Sequence, residues 1–211
     1  MVHFAHLSLI LSVLTAVCHA SSLGPPCKAG NLEAVKRIIA DGGGDDIDAA
    51  TYNPWGMPDT AGSWTALYVA AAHGHDDIVR FLVSAGADLH KGCTKTGATP
   101  LHTACAHGST HVVRSLLALG ADPNRKSNDG TTPAFWVIPS GVPDSLRALA
   151  EGGPGGKLDA SSVNIVAESG KWGGTTAFGQ ALMTGDSAAE MADILRALGG
   201  KHAMDLRRED L

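Results

Sequence analysis

The sequence predicts an all-α solenoid, in which short helix pairs stack side by side. Two observations predict this fold class. Similar segments recur along the chain at a spacing of about 33 residues, and such a period is typical of repeat architectures. The chain also combines 44% hydrophobic residues with only 5% aromatic residues and 26 glycines. This composition favours closely packed short helices and tight turns over a β-sandwich or barrel.

The repeat is clearest in three segments that align without gaps. They begin at Thr65, Thr99 and Thr132 and read TALYVAAAHG, TPLHTACAHG and TPAFWVIPSG. The interval between successive threonines is nearly the same in both cases. A second helical pattern follows each segment, so a helix, a glycine break and another helix recur as one unit.

These segments resemble the ankyrin repeat, in which Thr-Pro-Leu-His opens the first helix. The tetrad is intact at residues 99–102, whereas Tyr68 and Phe135 stand in the histidine position of the neighbouring units. The resemblance extends from residue 27 to about residue 200 and implies about four to five repeats. The positions that match the structural motif are Thr65, Gly74, Thr99, Pro100, Leu101, His102, Gly108, Thr132 and Pro133.

Each motif position has a physical task. Thr99 is expected to cap a helix, and Pro100 occupies the first helical position, where a missing N–H costs nothing. The resemblance implies that His102 hydrogen-bonds to the Thr99 region and ties down the start of the helix. Gly74 and Gly108 are expected in the left-handed conformation at helix ends.

The predicted organisation follows the repeat along the chain. We expect a signal peptide or N-terminal cap (1–20), a partial first repeat (27–48), a loop insertion (49–61), two full repeats (62–94 and 95–127), a degenerate repeat (128–153), a second insertion (154–172), a last degenerate repeat (173–200) and a charged tail (201–211). Pro25 and Pro26 predict that the first helix is short or absent. Pro139 and the GGPGG run at 152–156 predict a shortened helix followed by a mobile connection.

The N-terminal twenty residues have two interpretations. Residues 7–17 read LSLILSVLTAV and precede Ala20 with small residues around it, which is typical of a secretory signal peptide. No Lys or Arg precedes this run, and a capping helix is the alternative. The sequence is therefore compatible with two cellular compartments, the secretory pathway and the cytoplasm. The four cysteines do not decide it, because cleavage after Ala20 leaves an odd number.

Composition and spacing argue against several classes of function. The formal net charge of −5 is unfavourable for nucleic-acid binding, and no apolar run approaches the roughly 20 residues of a transmembrane helix. Equivalent histidines in stacked repeats, such as His73 and His107, lie roughly 10 Å apart, which is too far for one zinc ion. Cys105 lies one turn from a histidine, but no orienting third group accompanies the pair. We expect no catalytic residue, no cofactor and no metal.

The resemblance implies a module that binds an unidentified protein on the concave face, formed by turn tips and first helices, with the chain itself a monomer. The positions that the resemblance assigns to the binding face are Trp55, Gly62, Trp64, His73, Lys95, Thr96, Ala98, His107, Asn128, Asp129 and Thr131. Trp64 serves either as a binding hot spot or as packing on the neighbouring repeat. A stoichiometric inhibitor and a structural spacer are alternative functions. Enzymes and metal-binding proteins are alternatives of another class.

Overall fold

The structure, a computed structural model, describes residues 23–43, 46–50, 63–167, 174–183, 189–202 and 206. These residues contain helices and no strand. The helices are α1 (Gly24–Ala29), α2 (Leu32–Ile38), α3 (Ala66–Ala72), α4 (Asp76–Ser84), α5 (Pro100–Ala106), α6 (Thr110–Ala118), α7 (Pro133–Val137), α8 (Pro143–Glu151), α9 (Ala160–Val163), α10 (Ala177–Met183) and α11 (Ala189–Ala197). A π-helical turn, Ile39–Gly43, follows α2, and a 3₁₀ turn, Ile138–Ser140, follows α7. The prediction of an all-α fold is confirmed. None of the described helices combines the length and apolar character needed to cross a membrane.

The helices stack in two rows. First helices pack on one another in the order α1, α3, α5, α7 and α10, and second helices follow as α2, α4, α6, α8 and α11. Each first helix also packs on the second helix of its own unit. Because the apolar face of one helix pair is covered only by its neighbours, the stack forms one continuous core.

The core is built around small side chains on the first helices. Every residue of α3 is buried, and Ala104 and Cys105 of α5 are fully buried. Alanines at these positions let adjacent first helices approach closely. The second helices contribute larger aliphatic side chains, of which Ile78, Leu82 and Leu116 are completely buried.

Three glycine breaks are covered by the next unit. Gly30, Gly74 and Gly108 all have positive φ angles, between 64° and 77°. A Cβ atom added to Gly30 would lie 2.7 Å from the imidazole of His75, and one on Gly108 would lie 2.6 Å from Val142. The covering pairs are Gly30 with His75, Gly74 with Ser109, and Gly108 with Val142. Gly30 and Gly108 therefore need glycine for both conformation and space, and Gly74 needs it for conformation, as the sequence predicts for Gly74 and Gly108.

The first and fourth units depart from a regular repeat because of proline. In α1, Pro25 and Pro26 occupy the first turn, where backbone N–H groups have no helical partner, so the helix forms but is short. In the fourth unit, α7 ends at Val137, and Pro139 lies in the 3₁₀ turn that follows. The predicted short helices are confirmed in both places.

The glycine-rich run at 152–156 forms a closed turn where the sequence predicts a mobile connection. The amide of Gly153 donates to the carbonyl of Gly156 at 2.9 Å, and the reverse bond is 3.0 Å. A Cβ atom on Gly153 would lie 2.1 Å from the carbonyl oxygen of Leu117, and one on Gly155 would lie 2.4 Å from that of Ala121. The expectation of mobility misses the physical reason for these glycines, which is close backbone packing on the end of α6.

Arginines connect successive second helices. The Arg80 guanidinium donates to Ser115 Oγ at 2.6 Å, and Arg114 pairs with Glu151 at 2.6 Å. Arg147 pairs with Glu190 of α11. One arginine in each of three units thus contacts the following unit, although exposed pairs of this kind contribute little to stability.

Candidate functional site

The turn tips between helix pairs are joined to one another by backbone hydrogen bonds. The amide of Thr94 donates to the carbonyl of Ser63 at 3.0 Å, and the amide of Asn128 donates to that of Thr96 at 2.8 Å. The side-chain amide of Asn128 also donates to the Lys95 carbonyl at 2.8 Å. These bonds fix the spacing of neighbouring tips.

A groove of about 380 Å³ lies between two tips and a first helix. It is lined by Lys95, Thr96, Asn128, Asp129 and Trp136. We call this set the tip groove. Four of the five residues are predicted partner-binding positions, and the fifth, on α7, is not.

Trp136 forms the apolar wall of the tip groove and is half-buried. Its indole N–H donates to Thr131 Oγ1 at 3.0 Å. Its ring meets the imidazole of His102 edge to face, with centroids 5.5 Å apart and an interplanar angle of 77°. The side chain is therefore held in one orientation while part of its surface faces the groove.

His102 lies fully buried beneath Trp136. The Thr99 amide donates to His102 Nδ1 at 3.1 Å. Since Nδ1 accepts this bond, the proton sits on Nε2, which donates to the carbonyl oxygen of Thr131 at 3.3 Å. Burial lowers the pKa of His102 to about 4, so the ring is neutral. The contact to Thr99 that the resemblance implies is confirmed, and the bond to Thr131 ties the ring to the next unit.

The equivalent positions in the neighbouring units are filled differently. Tyr68 is buried in the second unit, and burial raises its pKa to about 12. Phe135 in the fourth unit has no polar atom to offer the preceding threonine. Thr132 Oγ1 is consequently buried with no hydrogen-bond partner among the described residues. Because the tetrad of the fourth unit lacks its histidine, the hydroxyl of Thr132 has no hydrogen-bond partner among the described residues.

Asp129 directs its carboxylate into its own tip. Its Oδ1 accepts hydrogen bonds from Ser127 Oγ at 2.5 Å, Thr131 Oγ1 at 2.8 Å and the Thr131 amide at 3.3 Å. Partial burial raises the pKa of Asp129, but these hydrogen bonds outweigh it and hold the pKa below its usual value. Asp129 is therefore ionised, and its carboxylate stabilises the conformation of the tip through these hydrogen bonds.

The predicted contact residues divide into three groups. Lys95, Thr96, Asn128 and His107 are exposed, and His73 and Asp129 are half-buried. Trp64, Ala98 and Thr131 are buried, with 5%, 0% and 0% of their surface exposed. These three side chains therefore lie beneath the surface of the tips. Trp55 and Gly62 lie outside the described residues.

Trp64 is buried because adjacent tips pair along their backbones. It forms an isolated β-bridge with Cys93, next to the Thr94–Ser63 hydrogen bond. This pairing turns the indole into the core, which is the packing alternative for this residue.

Trp136 is the groove residue that sequence reasoning missed. It occupies the repeat position that Val69 and Thr103 hold in the two preceding units, and both of those side chains are buried. A tryptophan is too large for the space that these smaller residues fill, so part of it emerges at the surface. A bulky aromatic at a small-residue position of the repeat is the signal that identifies it.

The histidines that end α3 and α5 hydrogen-bond to their own helices, and Cys105 is buried. His73 Nδ1 lies 2.9 Å from the Val69 carbonyl and His107 Nδ1 lies 3.0 Å from that of Thr103, so each ring donates to its own helix. No group of three metal-ligating side chains occurs in the part of the chain that the structure describes. Burial raises the pKa of the Cys105 thiol, which keeps it protonated and unreactive.

Paired helices, glycine breaks and hydrogen-bonded tips define a solenoid of helical repeats. A family model described as ankyrin repeats, in three copies, matches residues 26–127 and 87–162. The chain belongs to the ankyrin-repeat family, whose members are generally protein–protein interaction modules. None of the curated proteins compared with the chain matches it.

Proposed function

We propose that this chain is a non-catalytic module that holds a partner protein on the concave face of the repeat array, in the tip groove. The observation that carries this proposal is Trp136, which is half-buried, fixed in orientation and open to the groove. Tryptophan is enriched among binding hot spots because a rigid aromatic surface buries a large area at low entropic cost.

The rigidity of the tips supports the same function. Asn128 joins two tips through its backbone and its side chain, and Asp129 accepts three hydrogen bonds within its own tip. A partner that binds here orders little additional chain, and such preorganisation increases affinity. The buried Trp64, Ala98 and Thr131 support the tips from below and do not contact the partner.

Site-specific photo-crosslinking tests the location of the binding face. A photoreactive phenylalanine analogue replaces Thr96 in one variant and Ala118 in the other; both positions are exposed, but Ala118 lies on the second-helix row. We expect the variant at position 96 to form a discrete crosslinked adduct with the partner protein. Parent protein without the photoreactive group should compete for the partner and suppress this adduct. Adducts of equal yield from both positions, or from position 118 alone, would place binding away from the groove.

A substitution series then tests Trp136 on the partner so identified. Trp136→Ala should weaken binding by roughly 30-fold, since hot-spot side chains contribute about 2 kcal/mol or more. Arg114→Ala on the second-helix row is the matched control and should leave the affinity unchanged. Thermal unfolding of each variant separates lost affinity from lost fold. If a folded Trp136→Ala protein bound the partner as tightly as the parent does, the proposal would be refuted.

A further inference from the structure

The second feature of the tip groove is its charge. We propose that the tip groove binds an acidic, extended peptide segment, with an apolar side chain on Trp136 and carboxylates on the cations of the adjacent tips. This inference rests on the proposed function and specifies the chemistry of the partner.

Four of the acidic side chains near the tips accept local hydrogen bonds. Asp48 accepts the Asp88 amide at 2.9 Å and pairs with Lys91 at 3.7 Å. Asp88 in turn accepts the His90 amide, and Asp122 accepts the Asn124 amide, each at 2.8 Å. Together with Asp129, these carboxylates satisfy backbone and hydroxyl donors within the turns, so their oxygens are held in place there.

The tips of the third unit carry three basic side chains. Lys95, Arg125 and Lys126 are all exposed. The side chains of Arg125 and Lys126 make no hydrogen bond or ion pair with any residue that the structure describes. We call Lys95, Arg125 and Lys126 the basic tip cluster. Arg125 and Lys126 can therefore attract a carboxylate without breaking an existing ion pair.

The basic tip cluster is continuous with the tip groove. Arg125 and Lys126 line a second cavity of about 580 Å³, to which Asp46 and Asp48 also contribute. Asn128 lines both cavities. A peptide that starts on Trp136 and crosses the tip at Asn128 therefore passes Lys95 and reaches Arg125 and Lys126.

The charge of the whole chain makes this cluster selective. The formal net charge is −5, so an acidic peptide is repelled by the molecule as a whole and attracted by the cluster. Local charge complementarity of this kind selects the partner, while the net charge of the chain opposes the approach of other acidic molecules. Its contribution decreases as salt shortens the Debye length from about 10 Å at 0.1 M.

Selection from a display library of random dodecapeptides tests the proposal on the full chain. Peptides enriched on the parent protein should combine net negative charge with an aromatic or aliphatic residue. Their affinities are measured by fluorescence anisotropy with a labelled synthetic copy of the most enriched peptide. Enriched peptides that are neutral or basic, or the absence of any enriched peptide, would overturn the inference.

Charge reversal provides the decisive comparison. The triple variant Lys95→Glu, Arg125→Glu, Lys126→Glu should weaken binding by about tenfold or more at low salt. The control Lys36→Glu, Arg37→Glu, Arg114→Glu changes net charge equally on the second-helix row and should change affinity less than about twofold. Equal weakening by both variants would refute a local role of the cluster.

The two proposals fail in different ways. Peptides that lose affinity with Trp136→Ala but not with the tip charge reversal would overturn the acidic specificity and leave groove binding intact. Peptides that are indifferent to Trp136→Ala would overturn groove binding itself. Circular dichroism and thermal unfolding confirm beforehand that each variant is folded.

Discussion

The Nε2 atom of His102 lies 3.3 Å from the carbonyl oxygen of Thr131, so a side chain of the third unit is hydrogen-bonded to the backbone of the fourth. The other ring nitrogen accepts from Thr99 within the third unit. One neutral, fully buried imidazole therefore caps its own helix and fixes the neighbouring tip at the same time.

This arrangement predicts a loss of stability in acid. Burial lowers the pKa of His102 to about 4 in the folded chain, below the value of 6.5 for an exposed histidine. Between these pH values the unfolded chain binds a proton that the folded chain rejects, so the free energy of unfolding decreases as the pH is lowered, by up to about 1.4 kcal/mol per unit. Above the unfolded-state pKa this contribution does not vary. Urea titrations from pH 7.5 to 4.5 measure it.

The control for this experiment is His102→Gln, which lacks the titrating group. Other histidines and carboxylates titrate in both proteins and cancel in the difference. The variant should be less stable at pH 7.5 and should lose less stability on acidification. Parallel pH profiles for the two proteins would contradict the assignment.

The two threonines that open α5 and α7 should respond differently to valine. Thr99→Val removes a cap and the hydroxyl 2.9 Å from His102 Nδ1, and should cost about 1–2 kcal/mol. Thr132→Val removes a buried hydroxyl that has no partner among the described residues, and should be neutral or stabilising. Chemical denaturation measures both, and a larger cost at residue 132 than at residue 99 would disprove the argument.

Gly153 tests the backbone packing of the closed turn. Gly153→Ala would place a Cβ atom 2.1 Å from the Leu117 carbonyl oxygen and should cost about 1–3 kcal/mol. Neither Gly153 nor Gly179 has a positive φ angle, which makes Gly179→Ala a matched control. A Cβ atom at residue 179 would have its nearest neighbours outside its own helix backbone at 3.4 Å, and helix propensity offsets this contact. Differential scanning calorimetry should detect a lower midpoint for the first variant alone.

Thiol labelling should reveal how cooperatively the array opens. Cys27 and Cys105 are both fully buried, in the first and third units, and burial raises the pKa of Cys27 to about 12. Because the third unit packs on a described helix pair at each side, Cys105 should be alkylated more slowly than Cys27 in the native state. Peptide mass spectrometry gives both rates. Equal rates would indicate that the array opens as one unit.

Local rules in the sequence determine much of the fold. The spacing of Thr65, Thr99 and Thr132 and the prolines in α1 and the fourth unit predict where helices begin and where they are short. These features act within a few residues, through caps, missing N–H groups and left-handed glycines. The closed turn at 152–156 could not be predicted in this way, because its glycines are required by a close approach to the end of α6, which belongs to the preceding unit.

The candidate site was only partly predictable for a similar reason. Whether a tip residue is exposed depends on how it pairs with the adjacent tip, and this pairing turns Trp64 inward. Exposure of Trp136 depends on the volume available beside His102 in the preceding unit. Lys95, Thr96 and Asn128 are exposed because they lie at the ends of the turns.

The glycine breaks have a consequence for how such an array can change length. Each glycine of the pairs Gly30 with His75, Gly74 with Ser109 and Gly108 with Val142 belongs to one unit, and the side chain that covers it belongs to the next. A duplication that copies one complete period carries both halves of this junction, an uncovered glycine at one edge and a covering side chain at the other. New units can therefore be inserted in phase without redesign of their neighbours, whereas an exchange out of phase would place a covering side chain against a residue with a Cβ atom.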